Sequence, residues 1–567
     1  MRCVHTTDAA VQTDTVQPSR ALRYSQTPEM TDEDHDTCSN ESDEDWVPYE
    51  EEGFSDEEMD INEDTLINEE HDKNEEPHTN PPFKERKFMV FESNLKELLQ
   101  SVCLHCVSTK EIDTFNVIGT AVTVNLKCKC PEITRWNSQP FSGTMPLGNL
   151  ILAGAVLFSG GSISKILTFF RHASVCCFSE RTFSSLQNAY LLPTITDIWQ
   201  CKQLDLITEI QNNGSPVKIG GDARCCTPGH TAKYGSYSIM DLERSKIIDM
   251  QLVQSNEVPN SYHMELEGLK RCLAYLDGND IQVLNFVTDR HPSIKKYMRL
   301  ERKNVHHMFD VWHVAKGVFK KLDALGKRKT KGFDVIGRWA KSISNHIYWC
   351  AASSQGDGEM VTQKWSSILN HITNIHEGHG PKFPACLHDT LDDREWIKKD
   401  SKVYQAIEKI AQERTLMKDI GKLSPAEQTS SLESYHRVVC FFAPKSVHFM
   451  HAQIEARIYL AAMHFNENSS RPQAVTSTGT AQFRVSYPKA RKGEGVAKEV
   501  KVNATYGYVQ ELFQDLLFRR ERLKSYSEAI AERRRDDKVR PPPLSHSKPH
   551  PPKADIVDNH KSRFNLE

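Results

Sequence analysis

The order of patterned segments between residues 216 and 325 constrains the fold more than any other feature of this chain. A short apolar segment that ends in two glycines and Asp222 predicts a first strand, and a β-rich hairpin follows it. Beyond the hairpin, helical and strand-like patterns alternate. The segments concerned are VKIGGD, YGSYSIMDL, KIIDMQLVQ, PNSYHMELEGLKRCLAYLDG, IQVLNFVTD, HPSIKKYMRLE, NVHHMFD and VWHVAKGVFKKLDAL. The sequence therefore predicts three antiparallel strands, to which later strands are added through helical crossovers.

This order is that of a ribonuclease-H-like α/β core, built from residues 213–325 and 424–468. The segment IQVLNFVTD is continuously apolar, which is typical of a strand buried on both faces. Residues 326–423 are rich in tryptophan and charge and have a helical pattern, so we expect a helical insertion. The helix after it begins at SPAE, where Ser424 is the expected N-cap and Glu427 completes a capping box.

Two modules are predicted before this core. Cysteine pairs flank a strand-like stretch, and four thiolates at such spacing can hold one tetrahedral zinc ion. The predicted zinc-ribbon-like module covers residues 86–140, and its cysteines are Cys103, Cys106, Cys128 and Cys130. The second pair is closer than the usual CxxC, so unliganded core cysteines remain an alternative. Residues 141–212 are predicted to be helical, with a break that resembles a helix-turn-helix, although any helical hairpin would look the same.

Charge is segregated along the chain. Residues Glu29–Glu76 contain 23 acidic residues and one lysine, a local charge of −22, so the rest carries +17 of the total of −5. An acidic stretch poor in aromatic residues predicts a disordered tail over residues 1–85. The basic remainder favours polyanion partners, and the alternative is a solubilising tail on an ordinary domain. The basic runs of residues 469–567 are typical either of nuclear-import and nucleic-acid segments or of solvated helix faces.

Nothing in the sequence predicts a secreted or membrane protein. No secretory signal is visible, and the longest apolar run, Leu147–Gly160, is shorter than the roughly 20 residues that a membrane span needs. The fifteen cysteines are scattered and odd in number. We therefore expect a soluble intracellular protein whose cysteines are reduced thiols, apart from one possible metal cluster.

Three carboxylates are the candidate catalytic groups. Asp222 and Asp289 end two strands that are neighbours in the predicted sheet, and Glu433 lies on the helix after the insertion. Carboxylates that converge repel one another unless a divalent cation neutralises them, and oxygen ligands select Mg²⁺ or Mn²⁺. The sequence predicts two such ions, which assist phosphoryl displacement in many nucleases. Each acid alone also has an ordinary explanation, as a turn residue, a helix cap and a solvated helix carboxylate respectively.

Five segments bring the chain close to a known family. They are GGDARCCTPGHTAKYGSYSIMDLE, QSNEVPNSYHMELEGLKR, VTDRHPSIKKYM, FDVWHVAKG and SLESYHRVVCFFAPKSVHF, and they resemble the transposases of Kolobok-type cut-and-paste DNA transposons. The resemblance runs from about residue 103 to about residue 468. It implies a nuclease core with an acidic triad in which Asp222, Asp289 and Glu433 occupy the two aspartate positions and the glutamate position.

The resemblance also implies partners and further site residues. Asp310 and His313 are similar to an Asp/Cys-x-x-His pair of related superfamilies, and His313 would orient a phosphate, transfer a proton or be structural. The implied partners are double-stranded DNA and further copies of this chain on paired DNA ends, in the nucleus. The residues expected to contact DNA phosphates are Arg224, His230, Lys233 and Arg290. A zinc site at Cys225, Cys226 and His230 is disfavoured, because adjacent cysteines rarely bind one ion.

One departure from the family pattern keeps a second function open. Many such transposases begin with a THAP-type zinc finger, and Cys3 and Cys38 lack the spacing for it. The leading hypothesis is a metal-dependent DNA nuclease and strand transferase. The alternatives are a catalytically inactive, transposase-derived nuclear DNA-binding protein and a small-molecule metallohydrolase.

Overall fold

The structure is a computed structural model, and it describes residues 81–558 except 132, 228–231, 390, 392–393, 426–429, 446, 488–492, 537–539 and 545–550. The predicted acidic tail therefore lies outside the described residues up to position 80, and so does Glu427 of the predicted capping box. Among the described helices, none combines the length and the apolar character that crossing a membrane requires. The architecture is mixed α/β.

The first module is a helix packed on a three-stranded antiparallel sheet. Helix α1 (Glu92–Leu99) precedes strands β1 (Glu111–Ile118), β2 (Ala121–Lys127) and β3 (Thr134–Asn137), with β2 in the centre. Its buried apolar core is small and consists of Leu99, Val124 and Leu126. A core of this size contributes little stability by itself.

A helical layer follows a two-stranded ribbon, β4 (Phe141–Ser142) and β5 (Met145–Pro146). Its helices are α2 (Leu147–Phe158), α3 (Ile163–His172), α4 (Glu180–Leu186) and α5 (Leu192–Asn213), with a π-helical turn at Gln187–Leu191. Ser179 caps α4, because its hydroxyl accepts a hydrogen bond from the Thr182 amide at 3.2 Å.

The central sheet has five strands in the order β10-β9-β6-β7-β8. Strands β6, β7 and β8 are antiparallel neighbours, whereas β9 runs parallel to β6 and β10 parallel to β9. The elements are β6 (Val217–Cys225), β7 (Tyr234–Asp241), β8 (Lys246–Gln254), α6 (Tyr262–Gly278), β9 (Val283–Thr288), α7 (Pro292–Glu301) and β10 (His306–Phe309). The predicted order of strands and helices is confirmed, and Pro292 is the first residue of α7.

Strand β9 departs from the prediction in its first half. Phe286, Val287 and Thr288 are buried, but Leu284 is 49% exposed, so burial on both faces is wrong for the beginning of this strand. Strand β10 pairs only with residues 285–288, which leaves the start of β9 uncovered on that side.

Much of the predicted insertion, residues 326–423, is helical, and its helices share an apolar core with the helix that precedes them. That core is made by α8 (Val311–Gly326), α9 (Asp334–Ala352), α10 (Gly358–Ser366), α11 (Ile368–His371), α12 (Lys402–Ala411) and α13 (Arg414–Ile420). The chain leaves the sheet after Phe309 and returns beside it. The Phe309 amide donates to the Lys422 carbonyl at 2.8 Å, and the Ser424 amide donates to the Phe309 carbonyl at 3.0 Å.

The remaining elements pack back on the helical layer. They are α14 (Ser430–Phe442), α15 (His451–Asn468), β11 (Phe483–Ser486), β12 (Val496–Glu499), α16 (Gly507–Arg522), α17 (Tyr526–Asp536) and α18 (Lys553–Asp558). One hydrophobic cluster extends from Met145 to Ala529 and includes residues of α2, α5, β8, α14, α15 and α16. Segments that are distant in the sequence therefore share one core.

Candidate functional site

The register of two parallel strands places Asp222 and Asp289 at the same level. Gly220 on β6 pairs with Val287 on β9, and each aspartate lies two residues further along its own strand direction. Neighbouring strands are about 4.8 Å apart, so the two aspartates lie side by side, Asp222 in β6 and Asp289 directly after β9. The backbone amide of Ala223 donates to Asp222 Oδ1 at 2.8 Å, and that of His291 donates to Asp289 Oδ1 at 2.9 Å.

Helix α14 packs on the same face of β6, and Gly220 makes this approach possible. Side chains two residues apart on a strand share a face, so a side chain at position 220 would point to the same face of the sheet as Asp222. A Cβ at position 220 would meet Leu432 Cδ1 at 3.2 Å and Leu242 Cδ2 at 2.8 Å. The absence of a side chain there lets α14 lie close to the strand, which brings Glu433 beside Asp222.

Glu433 and His436 lie one helical turn apart and face the aspartate together. One ligand atom from each of Asp222, Glu433 and His436 lies within 4.8 Å of the others. His436 Nδ1 lies 3.5 Å from Asp222 Oδ2. Burial, together with the positive charges of Arg224 and Lys445, lowers the pKa of His436 to about 3, so this imidazole is neutral at physiological pH.

The electrostatics of Asp222 are those of a crowded acid. Burial raises the pKa of its carboxyl well above the usual range, and the negative charges of Glu433 and Asp289 raise it further. Ionisation of Asp222 beside these two acids is therefore unfavourable unless a cation is present. Ligand atoms of Asp222 and Glu433 thus lie within 4.8 Å of each other, whereas Asp289 follows the neighbouring strand, acts on Asp222 through its charge and is not a member of this group.

A fourth carboxylate, Glu265 on α6, was missed by sequence reasoning. Its side chain is 22% exposed, and its Oε2 lies 3.9 Å from His291 Nε2. Burial and then the charge of Asp289 raise the pKa of Glu265 to about 8. The signal was present in the sequence, because Glu265 precedes the buried Gly268 and Leu269 by three and four residues and so lies on the apolar face of its helix.

His313 lies at the rim of the acidic group. Its Nε2 is 4.0 Å from Glu433 Oε1, and its Nδ1 is buried without a hydrogen-bond partner among the described residues. Asp310, the other member of the predicted pair, is the N-cap of α8 and accepts a hydrogen bond from the Trp312 amide at 2.6 Å. Asp310 thus fixes the start of the helix that carries His313.

The four basic residues expected at DNA phosphates have different surroundings. Arg224 is 6% exposed and donates to the Ala443 carbonyl at 2.7 Å, so its guanidinium ties the end of α14 to β6 and does not form part of the surface. Arg290 donates to Asp419 Oδ2 at 2.8 Å and remains partly exposed. The Lys233 ammonium lies 5.1 Å from the centre of the Tyr234 ring. His230 lies outside the described residues.

Asp222, Glu433 and His436 form a group that could hold a metal ion. The two acids supply carboxylate oxygens, which hard cations such as Mg²⁺ and Mn²⁺ prefer, and Asp289 would add another from the end of the neighbouring strand. A cation would also relieve the repulsion that raises the pKa of Asp222. His436 adds a nitrogen donor, which transition metals accept more readily than Mg²⁺ does.

A separate group of four thiols lies in the first module, where the sequence predicted it. The sulfur atoms of Cys103, Cys106, Cys128 and Cys130 lie within 4.8 Å of one another, with Cys103 Sγ and Cys130 Sγ 3.8 Å apart. One pair precedes β1 and the other follows β2, so the two pairs meet at the same end of the hairpin. A hydrogen bond from the Ser108 hydroxyl lowers the pKa of Cys106 to about 5. This group can hold a metal such as zinc.

Cys225 and Cys226 do not join a metal-binding group within the described part of the chain. They pack beside Ala232, Val253 and Met264, and Cys226 Sγ accepts a hydrogen bond from the Tyr234 amide at 3.3 Å.

Comparison with known proteins adds no assignment. No protein-family model matches the chain, and no curated protein is detectably similar to it in sequence.

Proposed function

We propose that this chain is a metal-dependent DNA nuclease and strand transferase of the transposase type, built on a ribonuclease-H-like core. The observation that carries the proposal is that Asp222 and Glu433, which are 211 positions apart in the sequence, lie with His436 in one group of ligand atoms, while the charge of Asp289, after the neighbouring strand, acts on Asp222. The strand order β10-β9-β6-β7-β8, with three antiparallel strands and two parallel additions, supports the core. The motif resemblance supports DNA as the substrate.

The side chains divide the work according to their environments. Divalent ions held by the three acids would supply water activation and stabilise negative charge on the phosphate. His313 is placed to orient a phosphate oxygen or to take up a proton beside Glu433. Glu265, whose pKa is about 8, is mostly protonated at neutral pH without a cation, so it can donate a hydrogen bond toward Asp289 or an adjacent oxygen.

The test is nicking of supercoiled DNA by the full chain with Mg²⁺ or Mn²⁺. We expect Asp222→Asn, Asp289→Asn and Glu433→Gln each to reduce nicking by at least about 100-fold, while DNA binding by fluorescence anisotropy is retained. Asp205→Asn, which changes an exposed carboxylate on α5, is the matched control and should nick normally. Iron(II) in place of Mg²⁺, with hydrogen peroxide as oxidant and ascorbate as reductant, should cleave the polypeptide backbone near residues 222, 289 and 433, which locates the ion independently of activity.

Two outcomes would favour the other hypotheses. DNA binding without nicking by the parent protein would support a catalytically inactive DNA-binding protein. Hydrolysis of small phosphate esters without salt-dependent DNA affinity would support a metallohydrolase.

A further inference from the structure

A group of histidines and one cysteine in the insertion has no role in the proposed function. One ligand atom from each of His371, His376, Cys386 and His388 lies within 4.8 Å of the others. His371 is the last residue of α11, and the other three residues lie in the segment that follows it, more than twenty residues before α13. None of the four lies on an element that carries an acid of the candidate site. The group is also separate from the four cysteines of the first module.

The backbone is shaped to gather these side chains. After α11 the chain turns through two left-handed positions, Asn374 with φ 60° and Gly378 with φ 74°. A short antiparallel bridge then joins Glu377 to Ala385, and the Cys386 amide donates to the His376 carbonyl at 2.8 Å. The turn therefore returns Cys386 and His388 to the histidine at the end of the helix.

The separations suit tetrahedral coordination. Zinc bonds of about 2.0–2.1 Å to nitrogen and about 2.3 Å to sulfur place neighbouring ligand atoms roughly 3.3–3.8 Å apart. Cys386 Sγ lies 3.7 Å from His371 Nδ1. The imidazole rings of His371, His376 and His388 are mutually perpendicular, with centroids 4.8–5.1 Å apart, as they are when rings point at a common centre and do not stack.

Hydrogen bonds fix two of the rings with a lone pair directed inward. His376 Nε2 lies 2.9 Å from Asn374 Oδ1, and His388 Nδ1 lies 2.8 Å from the Asp389 carbonyl, so these nitrogens carry the protons. The opposite nitrogens, His376 Nδ1 and His388 Nε2, are buried and have no hydrogen-bond partner among the described residues. A buried ring nitrogen without a partner is unfavourable, and a bound metal ion would satisfy both of these atoms. Hydrogen bonds to the opposite ring nitrogens are the contacts that orient histidine ligands in metal sites.

A further hydrogen bond is directed at the sulfur. The Asn370 amide Nδ2 lies 3.1 Å from His379 Nδ1 and can only donate, so His379 carries its proton on Nε2. That Nε2 lies 3.2 Å from Cys386 Sγ and donates to it. A thiolate is the form of cysteine that accepts such a bond best, and it is also the form that binds a metal.

We propose that His371, His376, Cys386 and His388 bind a structural Zn²⁺ that holds the loop of residues 372–388 to the insertion core. Four protein ligands leave no open position, so the ion supports the fold and takes no part in catalysis. His371 contacts Trp339 and Trp396, which links the ion to the centre of that core. His379 is a positioning residue.

The test measures zinc in the full chain with the first module disabled by Cys103→Ser and Cys106→Ser. In that background we expect His388→Asn or His376→Asn to reduce zinc from about one ion per chain to less than about a tenth. His172→Asn, an exposed histidine on α3, is the matched control and should retain the ion. His388→Cys preserves a ligand and should also retain it, which separates loss of coordination from misfolding.

Cobalt(II) provides a second readout. In the same background the cobalt-loaded chain should show a thiolate-to-cobalt charge-transfer band, and Cys386→Ser should remove this band. Absence of zinc from the disabled-module chain, or full zinc content in folded His388→Asn, would overturn the proposal. Neither result bears on the acidic site, so the proposed function and the zinc site can fail separately.

Discussion

At the scale of single residues, the acidic site contains a buried carboxyl group, Asp222, whose ionisation beside other acids is unfavourable without a cation. Asp222 and Glu265 both have raised pKa values because each is buried close to another acid. A carboxyl whose pKa is raised by folding binds more protons in the folded state than in the unfolded one. The free energy of unfolding of the cation-free protein therefore decreases as the pH rises from the unfolded to the folded pKa.

Glu265→Gln should remove part of this pH dependence. In EDTA, we expect the variant to match the parent near pH 4 and to be more stable above pH 8, by no more than about 5 kcal/mol for a shift from 4.5 to about 8. Thermal unfolding across this pH range measures the effect. Glu267→Gln on the same helix, which loses an ion pair with Arg271, is the control and should not stabilise. Equal pH profiles for the parent and Glu265→Gln would contradict the assigned pKa.

At the scale of elements, the site depends on how closely α14 approaches β6. Gly220 provides the space, and Arg224 ties the other end of the same strand to the carbonyl of Ala443 just after the helix. The close packing at Gly220 and the hydrogen bond from Arg224 to Ala443 together hold Glu433 beside Asp222. The helix position is thus set by residues that do not themselves belong to the acidic group.

Gly220→Ala should move this helix. The new Cβ would lie 2.8 Å from Leu242 Cδ2 and 3.2 Å from Leu432 Cδ1, so we expect a loss of roughly 1–3 kcal/mol of stability. We also expect a decrease in nicking at temperatures where the variant remains folded. Gly317→Ala, in α8 with no atom within 4 Å of the new Cβ, is the control and should be neutral or stabilising by up to about 1 kcal/mol. A Gly220→Ala protein with the stability and activity of the parent would exclude this role.

At the scale of the whole molecule, part of the basic C-terminal region is structural. Arg520 is 2% exposed and donates to the Tyr190 hydroxyl at 2.8 Å and to the Ser142 carbonyl at 2.7 Å. Arg519 is also buried and pairs with Asp515 and Glu532. Neither expectation for this run, a nucleic-acid segment or a solvated helix face, is right for these two residues. Helix α16 uses them to bind the helical layer.

Arg520→Met should therefore reduce stability without a specific effect on DNA. Removing the guanidinium leaves the Ser142 carbonyl and the Tyr190 hydroxyl with fewer partners, and we expect a loss of about 2–4 kcal/mol, seen as a lower Tm. Arg534→Met, in an exposed position on α17, should change stability by less than about 0.5 kcal/mol. An unchanged Tm combined with weaker DNA binding by Arg520→Met would support the nucleic-acid interpretation.

The sequence was most informative where chemistry follows local pattern. Strand and helix order follows from periodicity, and the meeting of Asp222 with Asp289 follows from the pairing of parallel strands. The position of Glu265 on the apolar face of α6 also follows from periodicity, although sequence reasoning missed it, whereas the histidine group around Cys386 depends on loop conformation, which periodicity does not report. Arg520 and Tyr190 are 330 residues apart, so no local pattern could distinguish this buried arginine from a solvated one.

The backbone bridge at Phe309, where the chain departs into the insertion and comes back, has an evolutionary consequence. Because Phe309 is hydrogen-bonded to Lys422 and Ser424, the number of residues between these positions can change without altering the distance between β10 and the helix that bears Glu433. The entropic penalty of a longer excursion grows only with the logarithm of its length. We expect natural variants to gain or lose residues there freely, while the few positions that close the bridge keep their spacing to the acids.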